Sequence, residues 1–187
     1  MFRSLLLALL LPLAVQVQAG GGERCNAGEA LDNLVGLVHQ RLNLAEDVAH
    51  YKWNRQLAIE DLPREQAIIT SLGRRAAEQG LPAAWAEAFF RAQIEASKAE
   101  QRILFAQWRE QGIVAFHDAP DLITVTRPKL DDLTPHLIAT LAAVWPHLTD
   151  PACGTLVLEQ VAALGVAPSW HAPDAMKLAT APLGALP

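Results

Sequence analysis

The chain has 187 residues and 20.3 kDa, with 20 acidic and 15 basic side chains and a formal charge of −5. This length supports one well-cored domain, and the acidic balance argues against nucleic acid as a partner. Hydrophobic residues reach 51%, charged residues only 19%, and there is a single Tyr, which argues against both disorder and an all-β fold. We predict a soluble all-α domain.

The N-terminus has the pattern of a secretory signal peptide. Arg3 supplies a positive charge, residues 5–15 form an apolar run, and Ala19 ends a cleavage pattern before Gly20. The run has eleven residues, fewer than the roughly 20 that a membrane span needs; an uncleaved anchor is the alternative. We predict cleavage near Ala19 and a mature single domain, residues 20–187, that is periplasmic or secreted and has no membrane contact.

The chain contains two cysteines, Cys25 and Cys153, which export would place in an oxidising compartment. An even number favours one disulfide between the N-terminal tail and the C-terminal half. Two buried free thiols, or a bond between chains, are the alternatives that the sequence leaves open.

Apolar spacing predicts two helices in the first part of the mature chain. Apolar positions recur at helical spacing over residues 29–59 and include Leu57, which predicts one long amphipathic helix. Asp61 is a candidate N-cap, and Pro63 suits the first turn of a second, medium-length helix. Gly80 is expected to end that helix.

A third long helix and an appended helical half complete the prediction. Pro82 opens the third helix, which ends before Gly112, and residues 113–127 are expected to be irregular. Further helices are predicted over residues 130–145, 153–164 and 172–180. The predicted architecture is a bundle of one long, one medium and one long helix over residues 29–112, followed by accessory helices over residues 113–187.

Several polar side chains occupy helix faces that should point inward. Arg41 and Lys52 are eleven residues apart, or three helical turns, and share a stripe with core-facing positions. Buried cations are unfavourable unless an anion meets them. Polar residues also share faces on the next two helices: Asp61, Arg64, Glu65, Ser97 and Gln101. Each has an ordinary explanation as a cap, a surface residue or a bundle hydrogen bond, but together they predict one polar interior site.

These residues resemble those of a known family. The spacing Arg41-x10-Lys52, the run IEDLPRE at residues 59–65 and the run QIEASKAEQ at residues 93–101 are similar to the helical AroQ class of chorismate mutases. The signal peptide and the extra helical half resemble its secreted, gamma subclass. The resemblance covers about residues 29–109. It implies an isomerase of aromatic amino acid biosynthesis (the shikimate pathway) that converts chorismate to prephenate without metal or organic cofactor.

The resemblance also implies a role for each polar residue. Arg41 would hold a substrate carboxylate, and Lys52 would reach both a carboxylate and the oxygen of the ether bond that breaks. Gln101 would donate its amide N–H to the same oxygen. Asp61 and Glu65 would help to hold the ring hydroxyl, with Arg64 and Ser97 in the surrounding wall. In the secreted subclass a further arginine comes from a later segment of the same chain; the candidate is Arg127, with Arg102 as a weaker competitor. The implied catalytic residues are Arg41, Lys52, Glu65 and Gln101.

The chemistry of the substrate independently suits such residues. Chorismate is a small dianion, and arginine can grip a carboxylate at two points. Its rearrangement is intramolecular and needs no nucleophile, so catalysis must come from holding a compact conformer and stabilising charge on the ether oxygen. The six histidines form no common metal-binding spacing, and no metal site is predicted.

The sequence is also compatible with two other functions. The main rival is a non-catalytic exported helical bundle, a binding protein or chaperone, which should expose an apolar groove. An enzyme should instead bury Arg41, Lys52, Arg64 and Gln101 around one pocket. A second rival keeps the fold but removes pyruvate from isochorismate. Secreted relatives can bridge two cysteines within the C-terminal half, a pattern that Cys153 alone cannot reproduce. We expect a homodimer with each site inside one chain.

Overall fold

The described part of the chain folds into a bundle of helices joined by turns and short loops. The computed structural model describes Cys25, residues 27–164 and residues 171–186. Within these ranges there are six α-helices and no β-strand: α1 Gly28–Asn54, α2 Leu62–Ala77, α3 Ala83–Glu110, α4 Arg127–Thr149, α5 Gly154–Leu164 and α6 Ala175–Thr180. The predicted all-α bundle is therefore confirmed. The predicted signal peptide, residues 1–19, lies outside the described residues.

The first helix ends five residues earlier than its apolar pattern predicts, at Asn54. Two backbone hydrogen bonds close it, from the N–H of Gln56 to the oxygen of Trp53 and from the N–H of Leu57 to the oxygen of Lys52. This is a Schellman ending, in which one residue adopts a positive φ, and here that residue is Gln56 at 53°. The sequence carries no glycine to mark the ending, so the prediction of a helix to residue 59 with Leu57 in its core is wrong.

The ends of α2 and α3 follow their sequence signals. Asp61 caps α2, and Pro63 lies in its first turn, where the missing N–H costs nothing. Both helices end with the same pair of backbone bonds as α1, but with Gly80 and Gly112 at the positive-φ position. Glycine adopts this conformation without steric cost, which is why these two ends are readable from the sequence.

The segment before α4 is more regular than predicted. Residues Leu122–Thr126 form one π-helical turn, and the Asp121 carboxylate accepts bonds of 2.9 Å from the N–H groups of Ile123 and Thr124. The turn runs directly into α4, so the helix begins at Arg127 rather than at residue 130. It also continues past Pro146 to Thr149, beyond the predicted end.

Helix α3 lies at the centre of the packing. It contacts α1, α2 and α6, while α4 contacts α1 and α5. A large apolar cluster spans these helices, with Phe89 and Phe90 fully buried, and a second cluster surrounds Trp108 near the end of α3. None of the helices in the described ranges is long and apolar enough to cross a membrane.

The two cysteines form a disulfide. Cys25 and Cys153 lie with their sulfur atoms 2.10 Å apart. The bond joins the chain just before α1, which begins at Gly28, to the residue directly ahead of α5. Both are buried. The predicted bridge between the N-terminal tail and the C-terminal half is confirmed, and the alternatives of free thiols or a bond between chains do not apply.

Candidate active site

A cavity of about 210 Å³ lies between α1, α2, α3 and α4. Its wall also includes residues between α1 and α2, and Leu122 of the π-helical turn. All eight side chains that the sequence predicts as substrate contacts line it: Arg41, Lys52, Asp61, Arg64, Glu65, Ser97, Gln101 and Arg127. The fold thus brings together polar residues from separate helices, as their inward-facing stripes predict.

Positive charge predominates in the cavity wall. The cationic side chains that line it are Arg41, Lys52, Arg64, Arg75, Lys98 and Arg127. Among the described residues, three carboxylates accompany them, those of Asp61, Glu65 and Asp131. Apolar side chains fill the space between the charges, including Val48 and Ile68, and reduce the screening that water would provide. The cavity therefore suits a small anion.

Arg41 enters the cavity from α1 with little compensation for its charge. Its Nε is buried and has no hydrogen-bond partner among the described residues. Burial lowers the pKa of Arg41 well below its usual value, to about 10, and the charge of Asp131 partly opposes this. The guanidinium remains a cation at neutral pH, at a cost in stability that an incoming carboxylate can offset.

Lys52 lies eleven residues farther along α1, on the same side of the helix. Its Nζ donates to the backbone oxygen of Ile59 at 2.5 Å, a contact made possible because α1 ends at Asn54 and the chain turns back. Burial lowers the pKa of Lys52, and the charges of Glu65 and Asp61 oppose this shift. An ammonium group has three N–H donors, so donors remain for a ligand.

The first turn of α2 forms a reciprocal cap beside the cavity. The Asp61 carboxylate accepts from the N–H of Arg64 at 3.4 Å, and Glu65 Oε1 accepts from the N–H of Asp61 at 2.9 Å. Arg64 is exposed, so its predicted burial is wrong, although it does line the cavity. The reason is local, since the first turn of α2 lies where the cavity meets solvent.

Glu65 is held as a carboxylate by its neighbours. Burial would raise the pKa of Glu65, but hydrogen bonds from the Asp61 N–H and from Lys98, with the charges of Lys98 and Lys52, hold it below its usual value. Lys98 Nζ lies 2.9 Å from Glu65 Oε2. At neutral pH Glu65 is therefore ionised and can only accept hydrogen bonds.

Ser97 and Gln101 form a pair on α3. Gln101 is 2% exposed, and its Nε2 lies 3.1 Å from Ser97 Oγ. Its Oε1 is buried without a hydrogen-bond partner in the described part of the chain. Exchanging the two amide atoms lets the Ser97 hydroxyl donate to Oε1 and leaves the NH₂ group as the free donor. Ser97 thus anchors one end of the amide whichever atom it meets.

Of the two candidate arginines from the later part of the chain, only Arg127 lines the cavity. It is the first residue of α4. Arg102 lies outside the cavity wall, is exposed, and binds Glu60 Oε1 through Nη2 at 2.7 Å. The structure therefore favours Arg127 over Arg102 as the additional cation.

Similarity to known proteins extends over most of the chain. Residues 30–102 match the family described as chorismate mutase type II. A protein named secreted chorismate mutase from Mycolicibacterium smegmatis is 32% identical over 148 residues, which cover 78% of this chain and 81% of that protein. The chain belongs to the chorismate mutase family.

Two further members of the chorismate mutase family support this assignment. A protein named secreted chorismate mutase from Mycobacterium tuberculosis is 30% identical over 149 residues, covering 80% of this chain and 72% of that protein. The crystal structure of chorismate mutase from Burkholderia thailandensis superposes with a TM-score of 0.73 at 43% sequence identity. It covers 82% of this chain and 98% of the other.

The cavity extends beyond the residues that match the chorismate mutase family model. Arg127, Asp131 and Thr134 lie past residue 102, on or at the start of α4, yet they line the same cavity. The predicted division into a core over residues 29–112 and an accessory part over residues 113–187 thus does not follow the cavity wall. Among the described residues, none of α5 or α6 lines it.

Three charged residues of the cavity wall in this chorismate mutase family member were not predicted from the sequence. They are Arg75, Lys98 and Asp131. The sequence contains a pattern that could have predicted two of them. Lys98 is next to Ser97, on a helix that was already predicted to point polar side chains inward, and Asp131 follows Arg127 by four residues, on the same helix face. Arg75 shows no such pattern, since two adjacent arginines near the end of α2 are typical of a solvated surface.

Proposed function

We propose that this protein is an exported chorismate mutase, converting chorismate to prephenate by an intramolecular [3,3] rearrangement. The observation that carries the proposal is the cavity, in which cations outnumber carboxylates and the Gln101 amide is buried. Chorismate is a dianion, and its rearrangement breaks a C–O bond and forms a C–C bond within one molecule. No nucleophile or proton transfer is required, which matches a wall of hydrogen-bond donors.

The two substrate carboxylates are the proposed ligands of Arg41 and Arg127. A guanidinium can bind a carboxylate with two parallel hydrogen bonds, and the unpaired buried Nε of Arg41 offers one such donor. Holding both carboxylates in one small cavity restricts the substrate to its compact conformer, in which the reacting carbons are close. Such restriction lowers the entropic part of the barrier.

The ether oxygen is the proposed ligand of Lys52 and Gln101. Negative charge develops on this oxygen as the C–O bond breaks, so donors that are already in place stabilise the transition state more than the substrate. Lys52 has N–H donors beyond the one given to Ile59. With its two amide atoms exchanged, so that the Ser97 hydroxyl donates to the amide oxygen, Gln101 directs its NH₂ group to the cavity.

The ring hydroxyl is the proposed ligand of the first turn of α2. Glu65 is an ionised acceptor, and its contact with the Asp61 N–H ties it to the start of the helix. Arg64 and Ser97 complete the polar wall. These contacts orient the ring and do not take part in bond breaking.

The activity is proposed to operate outside the cytoplasm. The buried disulfide between Cys25 and Cys153 is typical of proteins that fold in an oxidising compartment. The mycobacterial relatives are named as secreted proteins. The signal pattern of residues 1–19 supplies the export route in this proposal.

A homodimer with each site inside one chain remains a prediction. The cavity wall that lines the proposed site comes from α1 to α4 of a single chain. Specific activity should therefore stay constant when the protein is diluted through any dimer–monomer transition that light scattering detects. Loss of activity on dissociation would show that a partner chain completes the site.

The test is product analysis with purified residues 20–187. Loss of the ultraviolet absorbance of chorismate gives the rate, and acid conversion of prephenate to phenylpyruvate identifies the product. Lys52→Met and Arg41→Met should each lower kcat/KM by about 10²- to 10³-fold, the effect of removing one preorganised donor. Lys129→Met is the matched control, because Lys129 is an exposed cation that pairs with Asp47 and does not line the cavity.

Stability separates loss of chemistry from loss of fold. The Nε of Arg41 is buried and unpaired, and burial lowers the pKa of this residue, so Arg41→Met should melt no lower than wild type while losing activity. Pyruvate release from isochorismate would redirect the proposal to lyase chemistry. A folded wild type that turns over neither substrate would reduce the cavity to a binding site.

A further inference from the structure

Lys98 is a buried cation to which the family resemblance assigns no role. It is 4% exposed and lines the cavity. Its Nζ lies 2.9 Å from Glu65 Oε2 and 2.6 Å from Glu95 Oε1. Two of its three N–H donors are therefore committed to carboxylates on different helices.

We propose that Lys98 is a positioning residue that keeps Glu65 ionised and oriented toward the ring hydroxyl of the substrate. This inference rests on the proposed function, because it assigns a purpose to Glu65 only if the ring hydroxyl binds there. It goes beyond that function by making the acid side of the pH profile depend on a lysine that binds no substrate atom.

Two hydrogen bonds hold the Glu65 carboxylate, one at each oxygen. Its Oε1 accepts from the Asp61 N–H at 2.9 Å, and its Oε2 accepts from Lys98. Together the two contacts fix the carboxylate plane, and the remaining lone pairs can accept a hydroxyl hydrogen. A protonated Glu65 would present an O–H donor of its own and lose part of this acceptor capacity.

Burial makes the ionised state of Glu65 dependent on its partners. Burial alone raises the pKa of Glu65, and the hydrogen bond and charge of Lys98 are among the influences that reverse this. Lys52 contributes its charge, but its hydrogen bond goes to Ile59. Among the described residues, other charged groups also surround Glu65 and Lys98. They are Arg41 of α1, Glu60 and Asp61 before α2, Arg64 and Arg75 of α2, Glu95 of α3, and Arg127 and Asp131 of α4.

The experiment compares kcat/KM of the mature protein from about pH 5 to about pH 8 for wild type, Lys98→Met and Lys98→Arg. Loss of a close opposite charge typically shifts a carboxyl pKa by about one to three pH units. Lys98→Met should therefore lose about tenfold in kcat/KM for each pH unit below the new pKa of Glu65, and recover as pH rises. Lys98→Arg should restore most of the wild-type profile.

Arg102→Met is the matched control. It removes the same charge from the same helix, but Arg102 is exposed and binds Glu60 outside the cavity wall. Its pH profile should follow wild type. A Lys98→Met profile that runs parallel to wild type at every pH would overturn the proposal.

A Glu65→Gln variant distinguishes a Lys98 that positions Glu65 from a Lys98 that contacts the substrate directly. In Glu65→Gln, which cannot ionise, Lys98→Met should cause no further pH-dependent loss. An equal loss in both backgrounds would mean that Lys98 acts on the substrate itself, which also overturns the proposal. If Lys98→Met fails to fold, Lys98→Gln keeps an N–H donor on a side chain that is one bond shorter and carries no charge, and a pKa shift of Glu65 in the same direction is expected.

Wild-type activity is the independent check. Failure of the proposed function appears as no turnover by wild type, whereas failure of this inference leaves wild type active. Carboxyl NMR of Glu65 in the wild-type protein gives a readout without substrate, and a Glu65 pKa above its usual value would contradict the inference.

Discussion

Gln101 places a buried primary amide in a cavity whose wall is rich in hydrogen-bond donors. A carboxylic acid there would donate to an ether oxygen only when protonated, whereas the Gln101 amide donates at any pH. Ser97 Oγ lies 3.1 Å from the Nε2 of that amide and holds one end of it. The difference between amide and acid therefore sets the pH range over which this site should work.

The residue-scale prediction is a change in pH profile. Wild type should show nearly flat kcat/KM from mildly acidic to mildly alkaline pH. Gln101→Glu should move the optimum to acid, because the new carboxyl donates only while protonated and loses activity as pH rises through its pKa. Gln66→Glu, the same change at an exposed position on α2, should leave the profile unaltered. A wild-type rate that collapses above about pH 6 would remove Gln101 from the proposed role.

At the scale of the element, α3 serves two purposes on two faces. Ser97, Lys98 and Gln101 line the cavity. The other face holds the C-terminal segment: Trp85 Nε1 donates to the oxygen of Pro182 at 2.9 Å, and Gln93 Nε2 donates to that of Ala179 at 2.8 Å. Farther along, Glu100 accepts from the N–H groups of His171 and Ala172, both at 2.9 Å. These three side chains tether residues 171–186 to the helix that carries the site.

The element-scale prediction concerns this tether. Glu100 is 2% exposed, and its two oxygens accept one backbone N–H each. A Gln side chain has only one oxygen, so in Glu100→Gln the NH₂ group would face the second backbone N–H, which is also a donor. Glu100→Gln should lower the free energy of unfolding by about 2 kcal/mol. Hydrogen exchange should increase in residues 171–186.

The control for the tether is Glu110→Gln, at the exposed end of α3. It should change neither stability nor exchange. The kcat/KM of folded Glu100→Gln should stay near wild type, since no described residue of the C-terminal segment lines the cavity. A large loss of activity with full stability would show instead that the tether shapes the site.

For the whole molecule, the disulfide is a covalent link between distant parts of the chain. It joins residues 128 positions apart and ties the start of α1 to the start of α5. Closing so long a loop removes much conformational freedom from the unfolded chain. The bridge therefore supports the packing of α1 against α4 and α5 without touching the cavity.

The whole-molecule prediction is a loss of stability without a loss of chemistry. Cys25→Ser combined with Cys153→Ser should lower the free energy of unfolding by about 2–5 kcal/mol in denaturant titrations. Reductant should produce the same loss in wild type and none in the double variant. Below the melting temperature kcat/KM should be retained, because neither sulfur lies at the cavity. An unchanged unfolding midpoint would show that the link adds little to the packed helices.

The sequence by itself determined the helices and the composition of the site. Periodicity is a local property: it places Arg41 and Lys52 on one stripe of α1 and Ser97 and Gln101 on one stripe of α3, whatever packs against them. Glycine and proline marked the ends of α2 and α3 for the same reason. The all-α class and the eight predicted lining residues followed from such local signals and from the family resemblance.

Only the tertiary structure decided the remaining features. The end of α1 at Asn54 depends on Gln56 in a conformation that its residue type does not announce. The roles of Lys98 and Asp131 depend on which charge lies opposite them on another helix, and the pairing of the cysteines depends on where α1 and α5 begin. The charge pairs and the disulfide arise from contacts between residues distant in the chain, and a periodic pattern carries no information about distances of that kind.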